Sequence, residues 1–331
     1  MKEYIIIINV NFIIIKFFLF CFFVLINYKY INKNRLLIKN RLTKKNNNFT
    51  VCICTLGKNE NKYIKEFIEY YKKYDIDKIF LYDNNDNDGE IFEEVINEYI
   101  IKGFVELIDW RGKKRKQIEI LNHCYQNNYK KFDWLIFYDI DEYINLKNFS
   151  NIKNFLNQEK FTSCQIIYLN WVIHLDNNLI NFENKSLHER FPVLERNSRN
   201  KNKTFYIPVK SILKGHIPNI LIDDNHILNK SLKACNGFGF PPKIKSYFME
   251  ADFTNYYIDH YYFKSLEEFI EKLNRGSAKT NDDLRIKLYK IKRYIKMNKI
   301  DSFKLKYIEK KTKINISKYI NQFKRLSYYL I

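Results

Sequence analysis

The chain is poor in the residues that break regular structure, with only 8 glycines and 5 prolines among 331 residues. So little glycine and proline excludes a collagen-like repeat. Because 46% of the residues are apolar and 17% are aromatic, the chain can bury a substantial core, which excludes an intrinsically disordered protein. Six cysteines are too few for a disulfide-rich scaffold. One domain of roughly 220 to 280 residues with appendages fits this composition.

Acidic residues are also in deficit, with 37 Asp and Glu against 57 Lys and Arg, a net charge of +20. Such basicity is typical of nucleic-acid-binding proteins. The excess lies at the two ends, however: residues 1–50 carry +8, residues 51–270 carry −1 and residues 271–331 carry +13. We therefore expect no nucleic-acid partner for the folded core. A basic, membrane-tethered binding module that attracts nucleic acid or anionic lipid is the minor hypothesis.

One long apolar run occurs, at residues 4–28, and it is long enough to cross the ~30 Å hydrocarbon core as a helix. Lys16 within it costs about 2.5 to 3.5 kcal/mol near a helix centre, which the many Ile and Phe residues offset. No small-residue cleavage site follows, so we interpret residues 1–28 as an uncleaved transmembrane signal anchor rather than a signal peptide. Residues 29–49 are basic and predict a polar stem. The expected location is a membrane, with a single span.

The cysteines and charges leave the compartment open. Outside the anchor an odd number remains, without metal-site spacing, so we predict no disulfide framework; these are Cys52, Cys54, Cys124, Cys164 and Cys235. The basic residues after the span favour a cytosolic main domain by the positive-inside rule.

From residue 51 the chain alternates short β-branched apolar runs with helical patterns. Strands are predicted at 51–56, 78–84, 104–110, 133–144 and 163–174, with helices near 60–74, 90–102, 114–128, 151–158 and 265–275. This alternation predicts an α/β fold, a Rossmann-like, mostly parallel sheet flanked by helices. The Lys-rich residues 277–331 predict basic amphipathic helices that pack on this domain or lie against the membrane.

Polar side chains gather where the predicted strands end. Ligands of such sheets bind beyond the carboxyl ends of the strands, so these residues predict a shared crevice: Lys58, Asn59 and Glu60, then Asp83, Asn84 and Asn85, then Asp139, Asp141 and Glu142.

The most informative of these clusters is Asp139-Ile140-Asp141, which ends a buried strand. In an extended backbone residues two apart point to the same side, so both carboxylates would face one site. Paired carboxylates suit Mg²⁺ or Mn²⁺, which fills the rest of its shell with water and diphosphate oxygens. A solvated acidic strand end is the alternative for this motif alone.

Taken together in order, several segments resemble the GT-A fold glycosyltransferases, and among them family 92. The segments are residues 54–89, the helix with Gln117 and Cys124, residues 133–144, Asn170-Trp171, residues 188–191, Lys210 to Ile212, and residues 259–276. The resemblance covers residues 51–276, which we assign as the glycosyltransferase domain. It implies transfer of a sugar from a nucleotide-sugar donor, a UDP-sugar, to a glycan hydroxyl, and it favours a main domain in the ER or Golgi lumen.

The resemblance also implies roles for individual residues. A divalent metal would lie at Asp139 and Asp141, with His260 as third ligand and His226 as the other candidate; a structural histidine among tyrosines is the alternative for His260. Lys58, Glu60, Asp83, Arg111 and Lys210 would lie near the nucleotide and its phosphates, with Lys113 to Lys116 as a further cationic run. Helix-start and turn-forming roles are the alternatives for Glu60 and Asp83.

Known members of the family suggest inversion, which requires a carboxylate that deprotonates the acceptor hydroxyl. The candidates for this base are Glu189, Asp223 and Asp224. The runner-up hypothesis is a family 2 type transferase that builds a polysaccharide on the cytosolic side.

Overall fold

Buried, β-branched segments form the centre of a sheet in the computed structural model, which describes residues 49–194, 206–226, 228–245, 248–251, 254–276, 284–298, 300–316 and 319. The strands are β1 (Val51–Gly57), β2 (Lys78–Asp83), β3 (Val105–Asp109), β4 (Trp134–Phe137), β5 (Glu142–Leu146), β6 (Ile166–Ile173), β7 (Tyr206–Lys214), β8 (Ala234–Asn236), β9 (Ile244–Lys245), β10 (Phe248–Glu250) and β11 (Tyr256–His260). The predicted anchor at 1–28 and most of the predicted stem lie outside the described residues.

The helices are α1 (Asn61–Lys73), α2 (Glu93–Ile101), α3 (Gln117–Asn128), α4 (Ile152–Leu156), α5 (Leu187–Arg190), α6 (Leu266–Arg275), α7 (Leu284–Met297) and α8 (Ser302–Thr312). Helix α1 buries Ile64, Phe67, Ile68 and Tyr71, the stripe expected from helical spacing. Over the residues that can be described, no helix combines the length and the apolar character that a membrane span needs.

The sheet has the order β3-β2-β1-β4-β7-β6-β11-β5. Strands β3, β2, β1 and β4 are parallel, as predicted from the strand-helix alternation, whereas β7 runs antiparallel to both β4 and β6. Apolar side chains cover both faces of β1: Val51 and Ile53 join one core cluster, and Cys52 and Cys54 join the other. The predicted α/β architecture with flanking helices is therefore confirmed.

The C-terminal helices pack on the main domain. Phe269 of α6 stacks on Tyr294 of α7 with ring centroids 4.3 Å apart, and Ile308 of α8 is fully buried in the same cluster. The described part of the tail therefore packs on the domain, which is one of the two placements predicted for it.

Two disulfides correct the prediction that no disulfide framework exists. Cys54 of β1 bonds to Cys124 of α3, and Cys164 bonds to Cys235 of β8, with sequence separations of 70 and 71 positions. The odd count arose from Cys52, which is buried as a free thiol. Partners so far apart in sequence meet only because the sheet brings their elements together.

Candidate active site

The carboxyl ends of the parallel strands lie side by side. Gly57 at the end of β1 pairs with Asp83 at the end of β2, which in turn pairs with Asp109 at the end of β3. A side chain at Gly57 would lie 2.5 Å from Phe92 and 2.8 Å from Ile140, so only glycine lets the segment after β4 pack this closely. The ends of β1, β2 and β3 and the segment after β4 therefore lie next to one another, at the edge of the sheet where the crevice is predicted.

Asp139 and Asp141 lie in a tight turn between β4 and β5, not in an extended strand as we predicted. The turn is closed by a hydrogen bond of 3.0 Å from the amide of Glu142 to the carbonyl of Asp139. After the turn Glu142 begins β5, which pairs with β11, three strands away from β4 in the order of the sheet. Local sequence gave no sign of this reversal, since Ile140 continues the apolar pattern.

Asp139 is held by a buried lysine. The Lys210 ammonium donates to Asp139 Oδ2 at 2.7 Å and lies 3.3 Å from Glu142 Oε2. Lys210 is 2% exposed and Glu142 is fully buried, whereas the Asp139 side chain is 35% exposed. Lys210 of β7 therefore joins the turn between β4 and β5, through Asp139, to the start of β5, through Glu142.

Asp141 is held from the opposite side by α6 and β11. Lys272 Nζ donates to Asp141 Oδ2 at 2.6 Å and to the carbonyl of Tyr262 at 3.2 Å. His260 Nε2 lies 3.5 Å from Asp141 Oδ1, and the His260 ring packs 4.2 Å from that of Trp171. The structure thus brings the predicted residues Asp139, Asp141, His260 and Lys210 into one cluster.

Burial and ion pairing set the charges in this cluster. Burial disfavours ionisation of both aspartates, yet Lys210 lowers the pKa of Asp139, and Lys272 with His260 lowers the pKa of Asp141 well below its usual value. Burial lowers the pKa of His260 to about 4 against the attraction of Asp141. At neutral pH the cluster therefore holds two carboxylates and a neutral imidazole.

This donor set fits the divalent cation that the family resemblance implies. Hard carboxylate oxygens and a neutral imidazole are ligands that Mn²⁺ accepts. Across the described ranges no three His, Cys, Asp or Glu side chains are grouped closely enough to hold a metal as they stand. Two carboxylates nevertheless suffice for a metal whose remaining ligands are water and phosphate oxygens.

A second cluster occupies the ends of β2 and β3. Arg111 Nε donates to Asp83 Oδ2 at 2.6 Å and Arg111 Nη2 to Glu93 at 3.2 Å, while the other Asp83 oxygen accepts from Asn85. Lys58 pairs with Asp86 at 2.7 Å. Arg111 and Asp83 thus form one ion pair and Lys58 and Asp86 another, and both Asp83 oxygens are engaged within the protein. In the run that follows, Lys113 lies over the Trp110 ring at 4.0 Å.

Glu60 links the start of α1 to the end of α6. Its carbonyl accepts the first amides of α1, and its buried carboxylate accepts from Arg275 Nη1, which also donates to the carbonyl of Lys58 at 2.6 Å. Lys264 lies 3.7 Å from the same carboxylate. The backbone of Glu60 thus begins helix α1, as the helix-start alternative has it. Its side chain instead binds the end of α6.

The three candidate bases lie in different surroundings. Glu189 is exposed and forms a capping box with Ser186 at the start of α5. Asp223 is exposed, and Asp224 is half-buried in a turn where its Oδ1 accepts from the amide of His226 at 2.7 Å. The His226 ring packs 4.9 Å from Trp171, which in turn contacts His260. Asp224 is therefore the candidate connected to the aspartate cluster.

Sequence analysis missed Lys272 and Arg275. Together with Glu268, whose carboxylate binds Arg190 and Tyr63, they lie on one face of α6 at helical spacing. That spacing is visible in the sequence, but charged residues at helical spacing are also typical of a solvated helix face. Nothing local indicates that the face meets Asp141, which is 131 residues away from Lys272.

Comparison with known proteins gives the family. The model of "Glycosyltransferase family 92" matches residues 47–316. A family 92 protein of Oryza sativa subsp. japonica is 30% identical over 97 residues, and one of Ricinus communis is 29% identical over 99 residues. These matches cover 29% and 30% of this chain, but only 16% and 17% of the plant proteins.

Solved structures with some likeness include Staphylococcus aureus TarS 1-349 in complex with UDP-GlcNAc. That match has 12% identity and a TM-score of 0.38, and it covers 75% of this chain and 72% of that one. Another is the mannosyltransferase PcManGT from Pyrobaculum calidifontis in complex with GDP-Man and Mn²⁺, at 12% identity and a TM-score of 0.28, covering 39% and 40%. The family match spans most of the chain, including α7 and α8. The chain belongs to glycosyltransferase family 92.

Proposed function

We propose that this enzyme moves a sugar from a nucleotide-sugar donor, a UDP-sugar, to a hydroxyl group of a glycan, with a divalent metal and with inversion at the anomeric carbon. The observation that carries the proposal is the cluster of Asp139 and Asp141, two ionised carboxylates beyond the ends of parallel strands, each bound to a lysine. Carboxylates and ammonium groups together match the metal and the phosphates of such a donor.

Asp139, Asp141 and His260 would hold Mn²⁺ or Mg²⁺, which neutralises charge on the leaving diphosphate when it is bound. Lys210 fixes the Asp139 carboxylate from behind, because its ammonium is buried against Asp139 and Glu142. The cluster at Lys58, Asp83 and Arg111 would border the nucleotide, since it lies at the ends of the neighbouring strands.

For the base we propose Asp224 rather than Asp223 or Glu189. Its turn packs through His226 and Trp171 against His260, whereas Glu189 is committed to a helix cap. In the transfer, an Asp224 oxygen takes the proton of the acceptor hydroxyl and the acceptor oxygen bonds to the anomeric carbon. The bond from that carbon to the diphosphate breaks as the new bond forms, and its electron pair leaves with the diphosphate.

The donor site is tested by calorimetric binding of UDP to the purified full-length chain with and without Mn²⁺. Wild type should bind UDP more tightly with Mn²⁺, and the double variant Asp139→Asn/Asp141→Asn should lose this dependence. Asp88→Asn, which removes an exposed carboxylate of the loop after β2, is the matched control. A folded wild type that ignores UDP under both conditions would exclude a UDP-sugar donor.

The base is tested by comparing Asp224→Asn with Asp223→Asn, two neighbouring and isosteric changes. Asp224→Asn should lower kcat by about 100-fold or more, because general-base catalysis contributes on that scale, and should leave UDP affinity unchanged. Asp223→Asn should behave as wild type. Equal losses in the two variants would contradict the assignment, and the anomer of the product, measured by NMR, tests inversion separately.

We further propose that the domain lies in an oxidising lumen, tethered by the predicted anchor at residues 1–28. Support comes from the two disulfides, since such bonds persist in the secretory pathway and are rare in the cytosol. The cytosolic, family 2 type alternative predicts free thiols at these positions. Alkylation of the protein unfolded in denaturant under non-reducing conditions, followed by mass spectrometry, distinguishes the two: only Cys52 and Cys21 should react in the lumenal case.

A further inference from the structure

Helix α6 carries a polar face directed at the aspartate cluster. Ser265 begins the helix through a capping box with Glu268, and Glu268, Lys272 and Arg275 follow at intervals of four and three residues. Lys272 binds Asp141, and Arg275 binds both Glu60 and the carbonyl of Lys58. These contacts, to Asp141 and to the residues before α1, therefore fix the position of α6 along its axis and its rotation about it.

Lys272 is the most accessible of the three lysines bound to acidic residues at the centre of the site. Its side chain is 23% exposed, against 2% for Lys210 and 5% for Lys264. Lys210 contacts two acidic side chains, Asp139 and Glu142, and is itself buried, so its ammonium is enclosed within the protein. Burial raises the pKa of Glu142 well above its usual value, against the attraction of Lys210. Lys272 instead contacts a single carboxylate, and its own side chain is partly exposed.

The ammonium of Lys272 is held in place before any ligand binds. Two of its three N–H groups donate to Asp141 Oδ2 and to the carbonyl of Tyr262, and it lies 4.4 Å from the centre of the Tyr262 ring. A lysine fixed in this way loses little side-chain entropy when it takes an anion, which strengthens binding. Arg275 helps to position it by anchoring the end of α6.

We propose that Lys272 binds the diphosphate of the nucleotide donor, with its ammonium shared between Asp141 and a phosphate oxygen. This assignment rests on the proposed function, because it requires a nucleoside diphosphate in the crevice. The alternative is that Lys272 only neutralises Asp141. The two roles predict different results when Lys272 is replaced. If Lys272 binds the diphosphate, only ligands that carry a diphosphate lose that contact. If it only neutralises Asp141, the affinity of every ligand changes alike.

The test is calorimetric titration of uridine, UMP and UDP into wild type, Lys272→Gln, Lys272→Arg and Lys62→Gln, all in Mn²⁺. Lys62 pairs with Glu271 of α6 at 2.8 Å on the exposed side, so its variant is the matched control. Lys272→Gln should weaken UDP by about 10- to 100-fold, the range for a hydrogen bond to a charged group, and leave uridine unchanged. Lys272→Arg should retain most of the UDP affinity, and Lys62→Gln all of it.

Two outcomes would overturn the assignment while leaving the donor site intact: Lys272→Gln binds UDP as wild type does, or it weakens uridine, UMP and UDP equally. If wild type itself binds no UDP, the proposed function fails and the assignment fails with it. Thermal unfolding of each variant verifies that it is folded. Should Lys272→Gln prove unfolded, Lys272→Met, which removes the charge and keeps most of the volume, takes its place: wild-type affinity for uridine with weaker binding of UDP supports the proposal, and wild-type affinity for both contradicts it.

Discussion

Replacing Lys210 with methionine tests whether the buried ion pairs stabilise the site. The change keeps most of the side-chain volume and removes the ammonium that lies 2.7 Å from Asp139 and 3.3 Å from Glu142. Breaking a buried pair costs about 3–5 kcal/mol, because a charge is left without a partner. Asp139 is 35% exposed and can turn to solvent, whereas Glu142 is fully buried. We therefore expect a loss near the lower end, about 3 kcal/mol in the free energy of unfolding.

The assay is guanidinium unfolding followed by tryptophan fluorescence, with the slope of the transition compared between variants so that the midpoint reports stability alone. Lys153→Met is the matched control: Lys153 lies 2.6 Å from Asp77, but the two side chains are 17% and 31% exposed. A pair so placed should contribute less than about 1 kcal/mol. If both variants lose equal stability, burial does not set the strength of the Lys210 contacts, and the argument for its role behind Asp139 is refuted.

Replacing Cys164 and Cys235 with serine should lower the free energy of unfolding by about 4 kcal/mol, since the bond closes a loop of 71 residues; an unchanged denaturation midpoint would contradict the disulfide. Ile308→Ala should cost about 2–5 kcal/mol and retain a single thermal transition, because Ile308 is fully buried; two transitions would mean that α8 is a separate unit. Burial lowers the pKa of His226 from 6.5 to about 4. Between these two values the unfolded chain binds a proton at His226 and the folded chain does not, so a fall in pH favours the unfolded state. Wild type should therefore lose about 2 kcal/mol of stability relative to His226→Gln between about pH 7.5 and about pH 5, measured by urea unfolding, and a difference that is independent of pH would exclude the shift.

Much of the fold was predictable because it is encoded locally. The apolar runs of β1, β2 and β4 and the stripe of α1 follow from residues that are neighbours in sequence, and the alternation of strands and helices then predicts the parallel part of the sheet. The capping box that begins α6 depends only on Ser265 and Glu268, three positions apart in sequence. The equivalent signal at Ser186 and Glu189 was present as well, and it accounts for the helix cap that Glu189 forms.

The sequence by itself predicted an α/β fold, a resemblance to glycosyltransferase family 92 and two aspartates after the fourth strand. Only the tertiary structure decided that these aspartates lie in a turn, that Lys210 and Lys272 hold them, and that four cysteines pair. The physical reason is distance along the chain. Periodicity and caps depend on residues a few positions apart, whereas the partners of Asp139 and Asp141 are 71 and 131 residues away and are set by the packing of β7 and α6.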